Sequence, residues 1–314
     1  MTSTKTTVNL PIFRFRDQAE ERREVLRTAG ETVGAVLVVD LAPLCELAGR
    51  VAAAVTGYFD LDHGVKAAAA GPLGRLGHGW SSDVDAAGRP TFERLSIARF
   101  DDAGAAAAAG VGPEHLDLYE HTNVWPDGAL RDLVDRFRTA SAIVCEDLLR
   151  ETAKAVGLPA NTFVAHGPDH TDVALTRYAP RDEPGPGEPD EFGYAPHRDS
   201  TFVSLLSEHG EGGCLQVHDV ADDSWITAAP KPGSLVFIFG TLVERRTGGL
   251  VRAGRHRVLS PVKAARTSAS VFYNASLTTS VLPGSGGPEP APAPEGLPAT
   301  VGEVYRGLLT RPAL

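Results

Sequence analysis

Apolar and polar positions follow two different periods along this chain, and the change of period divides it. Over residues 41–59, Leu44, Leu47, Val51, Val55 and Tyr58 recur every three or four positions, the spacing that gathers side chains on one face of a helix. Residues 130–156 repeat the pattern through Leu133, Phe137, Ile143, Leu148 and Leu149 and predict a second long helix. The Arg- and Glu-rich residues 18–28 read as an exposed helix, followed by a short strand at 35–39. From about Thr171 the texture changes to short β-rich runs at 173–178, 201–206, 214–217, 234–239, 256–259 and 267–274. Short strands separated by turn residues argue for a sandwich or barrel. Proline and glycine cluster at 180–189 and 283–298, marking both as loops, the second a candidate cover over a site. The expectation is an α+β chain forming one structural unit. Residues 1–170 make a mostly helical region, 171–280 the β core, and 281–314 a Pro/Gly-rich loop with a C-terminal helix.

Composition narrows the function. The chain has 314 residues, 42% of them hydrophobic, enough to bury a full core. A net charge of −10 lacks the basic footprint of a nucleic-acid binder and favours a small-molecule partner. No apolar run approaches the roughly 20 residues that span a bilayer, so no membrane association is expected and the expected location is cytoplasmic. Cys45, Cys145 and Cys214 are odd in number and widely spaced, which suggests neither a disulfide framework nor a zinc knuckle.

The chemistry lies in a His-x-Asp triplet. On an extended segment its two side chains leave the same face and can meet one ion. With a second histidine from elsewhere they form the facial triad that leaves half an octahedron open, as non-heme iron requires. Three such triplets occur: His115 to Asp117, His170 to Asp172, and His197 to Asp199. The first follows Gly112 and Pro113 at a predicted helix start, where acidic residues favour the helix dipole. What lies downstream separates the other two. Counting from Asp199, His256 comes 57 positions later (256 − 199), Arg266 follows, and Ser268 stands two beyond it. Alternation along 266–274 puts Arg266 and Ser268 on one face. An arginine turned into a barrel needs an anion, and its planar fork matches a carboxylate.

This series resembles the isopenicillin N synthase-like family of Fe(II)/2-oxoglutarate-dependent dioxygenases, whose order is His-x-Asp, His, then Arg-x-Ser. Supporting segments are Arg177-Tyr178-Ala179-Pro180, Gly213-Cys214-Leu215-Gln216-Val217 and Pro232-Gly233-Ser234-Leu235-Val236, with weaker matches at Leu10-Pro11-Ile12, Tyr58-Phe59-Asp60-Leu61 and Asn123-Val124-Trp125-Pro126. His170 precedes the Tyr178 segment and falls out of order. The resemblance implies a double-stranded β-helix (jelly-roll) core and an enzyme using iron(II), 2-oxoglutarate and dioxygen to oxidise an unactivated C–H bond. It implies His197, Asp199 and His256 as metal ligands and Arg266, Ser268 and Tyr178 as co-substrate contacts. Arg75, Arg94, Phe202 and Ser204, near the family's pocket-lining segments, become the substrate candidates. Residues 247–256, with Arg266-Thr267-Ser268 and Val271-Phe272, look especially like deacetoxycephalosporin C synthase, which points towards antibiotic or other natural-product biosynthesis. Arg198 between the ligands and Thr241 after Gly240 depart from the family's usual Thr and Asp. Two alternatives remain open: an iron oxidase of the same fold that uses no 2-oxoglutarate, and a non-catalytic cupin-like binding module.

Overall fold

A single strand, β1 (Ile12–Phe13), precedes helix α1 (Ala19–Glu31) and strand β2 (Ala35–Val38) in the computed structural model, which describes residues 9–68, 78–85, 88–121, 123–164, 167–181, 192–210, 212–229, 231–283 and 298–309. Helix α2 (Ala42–Phe59) buries Leu44, Ala48, Val51, Val55 and Phe59 along the seam that the spacing predicts. Helix α3 (His63–Ala68) leads to the hairpin β3 (Gly79–Val84) and β4 (Pro90–Ile97). After α4 (Ala103–Ala108) and a 3-10 turn at Pro113–Tyr119 comes the long helix α5 (Gly128–Ala155). It starts on Asp127, whose carboxylate accepts the Leu130 N–H and so satisfies a donor that has no partner within the helix. Its buried seam runs through Leu130, Val134, Phe137, Ser141, Cys145 and Leu148. Ile143, expected on that seam, is 60% exposed, because six steps from Phe137 carry it about 120° round the helix.

The β core follows: β5 (Asp172–Tyr178), β6 (Phe192–His197), β7 (Val203–His209), β8 (Leu215–Asp219), β9 (Ser224–Thr227) and β10 (Leu235–Phe239). Helix α6 (Thr241–Arg246), β11 (His256–Leu259), β12 (Arg266–Tyr273) and helix α7 (Val301–Leu309) complete it. Eight strands form one sheet in the order β1-β2-β10-β7-β12-β5-β4-β3, and four form a second, β6-β11-β8-β9. Helices α2 and α5 pack on the large sheet at β5, β7 and β12. Its opposite face meets the small sheet around Tyr178, Leu206, Leu215, Val217, Ile238 and Val258. Burial on both faces explains why β10 reads as an unbroken apolar run, Leu235-Val236-Phe237-Ile238-Phe239, without alternation. The architecture is a double-stranded β-helix with flanking helices, an α+β fold.

Strands β1 to β4 join the large sheet from the N-terminal region. The β3–β4 hairpin carries Ser81, Ser82, Asp83, Glu93 and Arg94, a polar composition that hides its strands from an apolar-pattern reading. Pairing with β5 supplies what the pattern lacks. Apart from its end residues, the 283–298 segment lies outside the described residues. Among the described residues, no helix is long and apolar enough to cross a membrane.

Candidate metal centre

Strands β6 and β11 run antiparallel with His197 directly opposite His256, so two residues 59 positions apart (256 − 197) become cross-strand neighbours. Their ring centroids lie 4.1 Å apart. Asp199, two residues beyond His197 and just past the strand end, turns back between them. Its Oδ1 lies 3.4 Å from His197 Nε2 and its Oδ2 3.7 Å from His256 Nε2. One ligand atom from each of the three falls within 4.8 Å of the others. The other imidazole nitrogens are committed: Nδ1 of His197 faces Ala195 O at 2.8 Å and Nδ1 of His256 faces Gly254 O at 3.1 Å. A carbonyl at Nδ1 fixes the proton there, leaving the Nε2 lone pairs free to bind a metal.

Electrostatics agree with this geometry. Burial resists ionisation of Asp199, yet the two imidazoles and the Ser204 hydroxyl outweigh it and hold the carboxyl below its ordinary range. Burial pushes the His256 imidazole down and keeps it neutral, although Asp199 opposes the shift. Two imidazoles and one carboxylate are a donor set suited to non-heme iron(II). Ser204 Oγ donates to Asp199 Oδ2 at 2.5 Å. The backbone fixes Asp199 from the other side, as Thr241 N–H donates to its carbonyl at 2.8 Å. The Asp199 loop packs so closely on Gly240 that a Cβ there would lie 2.0 Å from Thr201 O, so only glycine fits. We expect Ser204→Ala to weaken iron(II) binding about 10–100-fold, the usual effect of losing a group that orients a ligand. Anaerobic titration measures it, and an unchanged affinity would show that Asp199 needs no hydroxyl support.

The two rejected triplets are structural. His170 Nδ1 meets the Tyr119 hydroxyl at 2.5 Å, while Asp172 accepts the Arg99 N–H. Asp117 pairs with Arg306 of α7, and the buried His115 ring lies against the same guanidinium. Arg198, the departure between the ligands, is exposed and donates from Nε to Ala253 O.

Cross-strand register builds the second part of the site. Arg94 of β4, Thr176 of β5, Ser268 of β12 and Glu208 of β7 are successive register partners, forming one row across the large sheet. Phe92, Tyr178 and Arg266 form the adjacent row on β4, β5 and β12. The Arg266 guanidinium lies 5.0 Å from the Tyr178 ring centroid and donates from Nη2 to Glu208 Oε1. These two charged side chains are 1% and 2% exposed. Glu208 thus supplies the anion that a buried arginine requires. The sequence reading passed over it, although alternation with the buried Ser204 and Leu206 put an acidic side chain on the inward face of β7. Burial raises the Glu208 pKa even against the opposing pull of Arg266. Arg266 still has Nε and Nη1 buried without a protein partner, and Glu208 has Oε2 in the same state. Unsatisfied donors on a buried guanidinium fit a further carboxylate.

A chamber walled by His197, Asp199, His256, Tyr178, Thr176 and Arg94 adjoins the metal position. Arg266 and Ser268 lie behind that wall rather than on it, and Tyr178 touches both chamber and guanidinium. An outer cavity of about 300 Å³ shares Arg94, Tyr194, Ala174, Phe272 and Asp199 with the chamber. The four substrate candidates therefore separate. Arg94 lines both spaces, while Ser204 is fully buried and engaged with Asp199. Phe202 does not reach the cavity: it is fully buried against Phe163 because its neighbour Thr201 packs under Gly240 and turns the ring into the helical layer. Arg75 lies outside the described residues.

The profile of the 2OG-Fe(II) oxygenase superfamily matches residues 170–275, the span holding all three candidate ligands. Among curated proteins, a 2-oxoglutarate-dependent dioxygenase of Gibberella zeae is 30% identical over 158 residues, covering 48% of this chain and 41% of that protein. The 2'-deoxymugineic-acid 2'-dioxygenase of Hordeum vulgare is 30% identical over 154 residues, covering 48% and 43%. These matches span less than half the length of either relative. The full-length Neurospora crassa T7H in complex with alpha-KG superposes with a TM-score of 0.76 at 18% identity, covering 98% of both chains. Residues 170–275 are thus similar to the 2OG-Fe(II) oxygenase superfamily, and the whole chain shares the fold of the Neurospora crassa protein.

Proposed function

We propose that the protein is an Fe(II)- and 2-oxoglutarate-dependent oxygenase that oxidises an unactivated C–H bond of a small molecule. The observation that carries this reading is the convergence of two Nε2 atoms and one carboxylate within 4.8 Å, with both Nδ1 atoms turned away onto carbonyls. His197, Asp199 and His256 would hold iron(II), and Ser204 would steady Asp199. Arg266, with Ser268 and Tyr178, would take the distal carboxylate of 2-oxoglutarate on the guanidinium nitrogens that no protein group uses. When bound, iron(II) with 2-oxoglutarate and dioxygen supplies the oxidising equivalent for the C–H bond, releasing succinate and carbon dioxide. The chain's own contribution is ligand geometry and a chamber lined by the three ligands, Tyr178, Thr176 and Arg94. The likeness of residues 247–256 to deacetoxycephalosporin C synthase supports a tailoring step in natural-product biosynthesis.

The test is formation of labelled succinate from labelled 2-oxoglutarate by aerobic, iron-loaded protein. Wild type should form it, and Arg266→Ala should form far less. One observation favours the related iron oxidase that dispenses with 2-oxoglutarate: Arg266 already holds Glu208 and stands behind the chamber wall. Oxygen consumption without succinate would select that reading.

A further inference from the structure

We propose that Arg94 is the recognition residue for a carboxylate on the substrate, making the substrate a monoanionic organic acid. The inference deepens the oxygenase reading and rests on it for which cavity the substrate occupies.

Arg94 is held in place yet incompletely used. Its Nε donates to Thr176 Oγ1 at 3.1 Å, and its Cζ lies 5.2 Å from the Phe92 ring centroid and 5.0 Å from that of Tyr194. The hydrogen bond fixes one edge of the guanidinium and the rings cover its surface. Among the described residues, no protein acceptor takes its two terminal nitrogens and no carboxylate pairs with it. Neighbouring arginines behave differently: Arg177 binds Glu93 and Asp60, and Arg99 binds Asp169. Of these three, Arg94 is the one with no carboxylate partner among the described residues.

Position gives that reserve a meaning. The side chain borders both the chamber at the metal position and the outer cavity of about 300 Å³. A molecule in the outer cavity has this guanidinium and Asp199 of the triad on the same wall. Two terminal N–H groups in one plane match the two oxygens of a carboxylate, and an aromatic-backed guanidinium loses little freedom on binding one. A dianion such as a phosphate ester fits poorly, because Asp172 and Asp199 share the cavity wall. Ser81, Ser96 and Thr201 also line the outer cavity and can serve polar groups elsewhere on the substrate.

The probes are benzoate, 3-phenylpropionate and decanoate, each beside its uncharged primary amide, together with phenyl phosphate. Binding to the full chain is read from the Arg94 Nε–H nuclear magnetic resonance signal, once with zinc(II) and 2-oxoglutarate present and once without either. At least one acid should saturate with a Kd below about 10 mM and bind at least about tenfold more tightly than its amide. Arg94→Gln, followed by the probes' own signals, should abolish the acid-over-amide preference, whereas Arg94→Lys should retain part of it. A bracing arginine without a recognition role would leave that preference unmoved. The proposal is overturned if no acid saturates, if acids and amides bind alike, if phenyl phosphate binds more tightly than every acid, or if Arg94→Gln keeps the preference. Should Arg94→Gln fail to fold, the wild-type acid and amide comparison with Arg94→Lys decides. The Arg94 Nε–H signal reports contact at that guanidinium with or without metal and 2-oxoglutarate, and 2-oxoglutarate, when present, occupies Arg266, so failure here is separable from failure to form succinate.

Discussion

Asp199→Ala is expected to abolish iron(II) binding at working concentrations, with turnover lost as a consequence. Asp199 is the anionic member of the triad, placed between the two imidazoles. Loss of an orienting group such as Ser204 costs about 10–100-fold in affinity, so loss of the ligand itself should cost more. A metal that binds only the folded state stabilises it by about 2.7 kcal/mol at a hundredfold excess over its Kd. Wild type should therefore melt at a higher temperature when iron(II) is added anaerobically. The variant should show no such shift while retaining its circular dichroism. A variant that keeps the wild-type shift would place the metal somewhere other than this triad.

The second large effect concerns the buried pair on β12 and β7. Arg266→Ala leaves Glu208 in the interior without its cation, and breaking a buried pair from one side typically costs about 3–5 kcal/mol. Co-substrate affinity should also fall at least about tenfold, the scale of losing hydrogen bonds to a charged group. Glu208→Gln tests the same pair from the other side. The amide can still accept from Arg266 but carries no charge, so an arriving carboxylate no longer competes with an internal anion. The variant should lose less stability than Arg266→Ala and should gain more stability from added 2-oxoglutarate than wild type does.

This arrangement also sets a pH dependence. Burial holds the Glu208 pKa above its ordinary value, and a second carboxylate on the same guanidinium would raise it further. Binding then takes up a proton. In wild type, 2-oxoglutarate affinity should fall as pH rises from the Glu208 pKa of the free protein towards that of the complex, and Glu208→Gln should flatten the fall. Calorimetry in buffers of different ionisation enthalpy reads the proton directly. Equal proton uptake by both proteins would assign it to another group.

Much of the fold was legible because local pattern and tertiary demand coincide. The 3–4 spacing on α2 and α5 survives folding because each helix packs against the sheet through one stripe. The runs at 173–178 and 235–239 are strands whose apolar content follows from burial. Ile143 and the β3–β4 hairpin escaped that reading, one because an isolated apolar residue carries no phase and the other because its strands are polar.

For the site, the sequence by itself determined the inventory: two histidines, a carboxylate, an Arg-x-Ser pair and their order. Only tertiary structure decided which groups meet. No local rule places His256 opposite His197, since that register arises from pairing strands 59 positions apart (256 − 197). The same holds for Glu208 beside Arg266 and for Thr176 beside Arg94, contacts made by rows running across strands rather than along them. Periodicity tells which face a side chain takes, whereas its neighbour on that face is set by the register of another strand.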